Sequence, residues 1–330
     1  MNEREARQAV ANAGRMLLQE KLVARTWGNV SCRTGTQAFV ITPSGLCYEG
    51  MTADDVVLYE MAAGTWTGSR KPSSERGVHA AAYARFPEAG FVIHTHQTYA
   101  SALGLAGFDS RMLTDGEKTA LGGVTRAKYG LPGTKRLRAN VTAALASGAH
   151  VVLMSQHGAL IVGKDQKEAF ERAKLLETVC KAACKGQPEG TDISSEKLAS
   201  LTERVKGEFS CIAYTAAPAV RETAKLATLF RAQLDDMAQM IGPRLVTVDM
   251  EESAVKKALK TRDAVLVSGL GAICRAGTEG DCEALRLLVE KACVSFLHTR
   301  ALHVSIALST IDAWLMRLVY RKKYSKKIGG

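Results

Sequence analysis

The spacing of apolar positions predicts helices alternating with short strands along the first half of the chain. Residues 3 to 21 set Ala6, Ala9, Val10, Ala13, Met16 and Leu17 three and four apart, the period of an amphipathic helix with a small-residue face. β-like stretches follow at Asn29 to Arg33 and Ala38 to Thr42. Next come a Pro43-Ser44-Gly45 turn, a helical turn plus strand over Ala53 to Glu60, and a hairpin over Gly64 to Gly68. Ser73 or Ser74 is expected to cap a helix reaching about Phe86, with Glu75 in its first turn, where a carboxylate suits the helix dipole. The compact strand Phe91-Val92-Ile93 stops at His94-Thr95-His96, and another helix opens near Thr98. Strand Val151 to Met154 likewise ends at Ser155-Gln156-His157-Gly158. Ala159 to Gly163 reads as a returning strand and Gln166 to Lys185 as a long helix. This mixture predicts a layered α/β domain.

The polar stretch GQPEGTDISSEK has the composition of a linker. It divides the chain into an expected first domain at residues 1–190, a linker at 191–205 and a second unit at 206–330. The second unit is related to the first, because residues 144 to 183 align with residues 258 to 296 as strand, turn, strand and helix. In that alignment His157 falls opposite Leu270, and His94 and His96 fall opposite residues near Ile212 to Tyr214. A half-domain without those histidines is expected there, completed by apolar helices at Glu283 to Phe296 and Ala301 to Val319 and by a basic tail. Those helices are expected to bury their apolar faces against the first domain, shaping its subunit interface or covering its site.

Composition narrows the function. With 330 residues, 46% of them hydrophobic, no apolar run approaches the ~18 residues of a membrane span. The start MNEREARQAV is charged and has no apolar core, which argues against a secretory leader and makes the cytoplasm the expected compartment. The eight cysteines include no C-x-x-C pair and read as buried thiols. The net charge of +11 raises nucleic acid as a partner. Part of that excess, however, is the run Arg317, Arg321, Lys322, Lys323, Lys326 and Lys327, a solvated C-terminal segment. No nucleic-acid or membrane partner is expected, and a modest positive field suits an anionic small molecule.

The candidate chemistry lies at the strand ends. His94 and His96, two apart, present both imidazoles on one face of a strand, and His157 ends a second buried strand. With Glu75 as a fourth member, three nitrogens and one carboxylate oxygen make a tetrahedral set for Zn²⁺ or another divalent ion. His79, four residues after Glu75 on the same helix, either joins the site or, the favoured reading, packs against the turn, and His150 and His303 read as isolated residues. Three small-residue turns, Gly28-Asn29-Val30-Ser31, Pro43-Ser44-Gly45 and Pro72-Ser73-Ser74, offer N–H and hydroxyl groups of the kind that cradle phosphate.

The stretches TWGNVSCR, ITPSGLCYEGMTADDVV, KPSSERGVHAAAYARFP, VIHTHQTYASAL, AKYGLPGT and MSQHGALIVG, in this order, resemble the class II aldolase/adducin family over residues 3 to about 186. The resemblance implies a three-layer α/β/α domain, here with a degenerate α/β half-domain appended. It implies one Zn²⁺ or related ion per chain on His94, His96 and His157, with Glu75 as a ligand that substrate displaces and that then serves as general acid/base. Gly28, Asn29, Ser44, Gly45, Ser73 and Ser74 correspond to positions that hold the substrate phosphate. Tyr129 looks like the tyrosine that a neighbouring subunit supplies to protonate the aldehyde oxygen, in a homo-oligomer, tetramer or dimer.

The activity implied is cleavage of a ketose 1-phosphate to dihydroxyacetone phosphate and an aldehyde through a metal-stabilised enediolate, with no lysine Schiff base. Two alternatives share the scaffold, a sugar-phosphate 4-epimerase and a 3-oxo-tetronate-phosphate decarboxylase. Epimerases typically carry Asp where this chain has Glu75. A third alternative is a non-catalytic adducin-like interaction module, but adducin head domains have lost zinc ligands that this chain retains.

Overall fold

A computed structural model describes residues 1–190 and 195–323. The chain forms two compact units, Met1–Ala183 and Cys184–Gly330.

The first unit opens with α1 (Glu3–Gln19), capped by Asn2 and Glu5 reciprocally and buried along Ala6, Val10, Ala13 and Leu17. β1 (Asn29–Arg33), β2 (Ala38–Ile41), β3 (Val57–Glu60) and β4 (Thr65–Thr67) form an antiparallel meander. Helix α2 (Arg76–Arg85) leads into β5 (Phe91–Thr95) and α3 (Thr98–Leu105). Then come α4 (Asp115–Leu121), β6 (Val124–Ala127), α5 (Lys135–Leu145), β7 (Val151–Met154), β8 (Gly158–Gly163) and α6 (Gln166–Ala183).

These strands make one eight-stranded sheet in the order β4-β3-β2-β1-β5-β8-β7-β6. Only the β6–β7 pair is parallel. Because β8 runs antiparallel to both β5 and β7, the strands β5, β7 and β6 point the same way and end at one sheet edge. One face is covered by α2 and α5, through Val78, Ala82, Leu137, Val141 and Leu145 on Phe39, Val92, Val152 and Val162. The other face carries α1, α3 and α6. The result is the three-layer α/β/α arrangement.

The second unit contains α7 (Glu196–Lys206), β9 (Cys211–Thr215), α8 (Pro218–Leu226), β10 (Leu229–Arg231) and β11 (Arg244–Val248). It continues with α9 (Glu252–Leu259), β12 (Ala264–Val267), β13 (Gly271–Ala276), α10 (Glu279–Ala301) and α11 (Thr310–Lys323). Its sheet order is β10-β11-β12-β13-β9. Four of these strands, β11-β12-β13-β9, repeat the order β6-β7-β8-β5, with the same single parallel pair. Helices α7 and α9 bury Leu198, Leu201, Val205, Val255 and Leu259 on Val265, Val267 and Ile273. Near its core, Lys291 Nζ lies 2.7 Å from the Asp236 carboxylate, both buried.

Several expectations need correction. The stretch expected as a linker, 191–205, holds all of α7 but its last residue, because Leu198, Leu201 and Val205 form a helical stripe that packs on the second sheet. Residues 191–194, and the part of the basic tail from 324 onward, including Lys326 and Lys327, lie outside the described residues. Helices α10 and α11 break between Leu302 and Ser309, and α11 exposes Ile311, Trp314, Leu315, Leu318 and Val319 while burying Ala313 and Met316. Among the cysteines, Cys47 is exposed, and Cys184 and Cys211 are half-buried. Among the described residues, no helix is long and apolar enough to cross a membrane.

Candidate metal centre and active site

The three histidines converge. Among the described residues they are the one group of metal-ligating side chains found, with ligand atoms within 4.8 Å of one another, all buried. The His94 and His157 rings stack with centroids 4.8 Å apart, and His96 lies 4.6 Å from His94 and 5.0 Å from His157. Strand geometry accounts for this, since β5 and β7 end at the same edge and the strand period turns His94 and His96 to one side.

Glu75 stands at the N-terminal cap position of α2 rather than within its first turn. It is buried, with Oε1 2.9 Å from His157 Nε2 and Oε2 3.2 Å from His94 Nε2. This arrangement tests whether a cation fits. His94 Nδ1 lies 2.9 Å from the Ala159 carbonyl oxygen, which only accepts, so that nitrogen carries the ring proton. In a neutral ring His94 Nε2 then presents its lone pair to a carboxylate oxygen, and two acceptors face each other in a buried space. A divalent cation resolves that conflict, and the donor set of three imidazoles and one carboxylate suits Zn²⁺. Burial holds His94 well below the usual imidazole range, which favours the neutral, ligating form. Burial opposes ionisation of Glu75, but His157, His94 and His96 outweigh it and hold its carboxyl well below the usual range.

The small-residue turns are drawn to the same edge. Asn29 pairs with His94 across β1 and β5, and a Cβ on Gly28 would fall 2.5 Å from the His94 carbonyl oxygen. The Thr42 hydroxyl accepts from Val30 N–H, and Ser73 N–H donates to the Thr42 carbonyl. Pro43 bridges to Pro72, and Ser44 N–H donates to the Lys71 carbonyl. The backbone N–H groups of Ser44 and Ser73 are thus engaged within the protein, and the Ser73 hydroxyl accepts from Glu75 N–H. Gly45 sits in the turn with a φ of 73°. Ser74 is exposed beside Gly133, where a Cβ would come 3.0 Å from the Ser74 Cβ. Tyr129 is half-buried in the loop after β6, its carbonyl accepting from Asn140 at 2.9 Å, at the sheet edge where β5 and β7 also end.

Sequence reasoning missed the polar residues behind the histidines. His79, read as packing, is fully buried and hydrogen-bonded on both ring nitrogens, to Ser31 and to Asn29. A signal was present: Glu75, His79 and Tyr83 recur at helical spacing on the buried face of α2, and Asn29 and Ser31 alternate on the facing side of β1. Polar residues in those stripes call for partners. His150, by contrast, stacks on Phe86 with ring centroids 4.4 Å apart, and His303 is exposed.

With this geometry in place, comparison with known proteins identifies the family. The profile of the Class II Aldolase and Adducin N-terminal domain matches residues 8–184, more than half of the chain, and the chain belongs to that family. A solved structure of YgbL, a putative aldolase/epimerase/decarboxylase from Klebsiella pneumoniae, is 26% identical, with a TM-score of 0.51 over 55% of this chain and 89% of its own. YgbL from Escherichia coli, described in the same words, is also 26% identical, with a TM-score of 0.50 over 55% of this chain and 88% of its own. An L-fuculose 1-phosphate aldolase is 28% identical, with a TM-score of 0.49 over 61% of this chain and 96% of its own.

Proposed function

We propose that the first unit is a divalent-metal-dependent carbon–carbon lyase, a cytoplasmic class II aldolase. It cleaves a ketose 1-phosphate to dihydroxyacetone phosphate and an aldehyde. The observation that carries this reading is the buried point where the three imidazoles meet the Glu75 carboxylate, two acceptors with no proton between them at His94. His94, His96, His157 and Glu75 would hold one Zn²⁺ per chain. The ion, when bound, supplies Lewis-acid stabilisation for the negative charge that develops beside the substrate carbonyl.

The protein's own groups do the rest. Glu75 Oε2 is anchored by Asn29 Nδ2 at 3.1 Å, so Oε1 is the atom free to exchange partners and to take a proton from dihydroxyacetone phosphate in the condensation direction. Tyr129 donates its phenolic proton to the aldehyde oxygen, from a neighbouring copy in a homo-oligomer. The turns at Gly28, Asn29, Ser44, Gly45, Ser73 and Ser74 receive the phosphate, chiefly through hydroxyl groups, since the Ser44 and Ser73 amides already have acceptors.

The test is metal content followed by product. Elemental analysis of the untagged protein is expected to give about one zinc per chain, lost in a His94→Ala, His157→Ala double variant, as three-histidine sites require their ligands. A panel of ketose 1-phosphates is then assayed for released dihydroxyacetone phosphate. A protein that takes up no divalent metal overturns the reading. The description of YgbL favours one second reading, an epimerase or decarboxylase on the same site. An isomerised sugar phosphate without aldehyde, or released carbon dioxide, would establish it.

A further inference from the structure

Glu75 is tethered from behind by a string of hydrogen bonds that reaches the core. Its Oε2 accepts from Asn29 Nδ2 at 3.1 Å. Asn29 Oδ1 accepts from His79 Nε2. His79 Nδ1 lies 2.6 Å from Ser31 Oγ, and Ser31 Oγ lies 2.9 Å from the Tyr83 hydroxyl. All five residues are buried.

The donor directions follow from chemistry. An ionised carboxylate only accepts, so the Asn29 amide must turn its nitrogen to Glu75 and its oxygen to His79. His79 Nε2 must then carry a proton, and in the neutral ring Nδ1 accepts from the Ser31 hydroxyl. Ser31, having donated, accepts from Tyr83. Every link points the same way, toward the Glu75 oxygen, and bonds so aligned polarise one another. Burial pushes His79 down to about 3, in keeping with a neutral ring. Phe39 packs against two members of the string, 6.4 Å from the His79 ring and 5.0 Å from the Tyr83 ring, and limits their movement.

We infer that His79 is a positioning residue: with Ser31 and Tyr83 it locks the Asn29 amide in the one orientation that donates to Glu75, and so fixes where the carboxylate sits as metal ligand and base. This rests on the proposed role of Glu75. It also assigns Asn29 a second task besides meeting phosphate.

The experiment compares full-length wild type with His79→Gln, His79→Leu and Ser31→Ala. In metal-free wild type labelled at histidine nitrogen, two-bond nitrogen–proton spectra are expected to show His79 neutral and protonated at Nε2. Zinc affinity is then measured by competition with a chromophoric chelator, with thermal unfolding of the metal-free proteins as control. His79→Leu is expected to weaken zinc binding about 10- to 100-fold, as loss of a group that orients a ligand does. His79→Gln places an amide nitrogen where Nε2 stood and is expected to stay close to wild type, with Ser31→Ala in between. A ring protonated at Nδ1, wild-type affinity in His79→Leu, or a Gln variant no tighter than the Leu variant overturns the inference. If His79→Leu does not fold, unchanged affinity in Ser31→Ala overturns it instead. Wild type that binds no zinc refutes the metal reading alone, and the tautomer, read without metal, then decides on His79.

Discussion

The sheets of the two units share a local plan that reaches individual residues, yet only one carries the histidines. Pairing registers place Gly158 opposite Met154 and Gly271 opposite Val267 at the same point of the two hairpins. A Cβ at Gly158 would fall 2.2 Å from the Thr95 carbonyl, and one at Gly271 would fall 2.2 Å from the Thr215 carbonyl. Two residues earlier the backbone is left-handed in both, at Gln156 with φ 62° and Gly269 with φ 65°. Ser155 N–H donates to the Ala127 carbonyl, as Ser268 N–H does to that of Val248. In this register His94 corresponds to Tyr214, His96 to Ala216 and His157 to Leu270. The close turn is therefore a property of the hairpin, kept where no histidine accompanies it, and the three clustered histidines are side chains added to that shared plan.

The largest effect expected from this comparison is steric. Gly158→Ala and Gly271→Ala each force a methyl against a neighbouring strand's backbone, which cannot rotate away as a side chain can. Each should destabilise its own unit by about 3 kcal/mol. Hydrogen exchange resolved by peptide, in denaturant, is the measurement, because it reads the two units separately. Equal exchange in Gly271→Ala and wild type would show that the shared turn is not a shared constraint.

A smaller effect separates the polar core behind the histidines from the second unit, where the cap position of α7 is Ser195 and α7 carries no histidine. The folded pKa of His79 is depressed to about 3 from 6.5. Below about pH 6.5 the unfolded chain binds a proton that the folded protein refuses, so stability falls as the solution is acidified and continues to fall until about pH 3. At pH ~5 the loss from this group is about 2 kcal/mol. In metal-free protein, His79→Gln should flatten the acid limb of the first unit by that amount, measured as urea midpoints between pH 5 and 8, and leave the second unit's limb unchanged.

What the sequence disclosed, and what it hid, follows the same division. His94-x-His96 was legible because strand alternation alone puts both rings on one side, and His157 because it ends an apolar run. The small turns were legible as turns, though not that the Ser44 and Ser73 N–H groups donate to the Lys71 and Thr42 carbonyls beside the Pro43–Pro72 bridge, since that pairing joins segments far apart in the chain. His79 was hidden for a similar reason: its partners Ser31 and Asn29 lie on another element, and one helix read alone gives a histidine on an apolar face no partner. Helix α7 was obscured by the Pro- and Gly-bearing stretch before it, although Leu198, Leu201 and Val205 carry a helical period. The outward apolar face of α11 also ran against expectation, because periodicity shows that a stripe exists and not what covers it.

The smallest effect isolates conformation from crowding at the shared turn. Gly269 has the same left-handed backbone as Gln156, and a Cβ added there meets nothing within 4 Å. Gly269→Gln therefore imports the first unit's residue into the second at the cost of the left-handed conformation alone, about 1 kcal/mol. Gly271→Ala, two residues on, adds a far smaller side chain, but it meets an unfavourable φ of 152° and, in addition, a contact distance that backbone atoms do not tolerate. If the hairpins are equivalent, the larger side chain is the milder change, read as a small shift in denaturant midpoint beside a large one. A reversal of that order, with Gln at 269 the more damaging, would mean that the matching φ angles conceal different surroundings and that the correspondence ends at the strands.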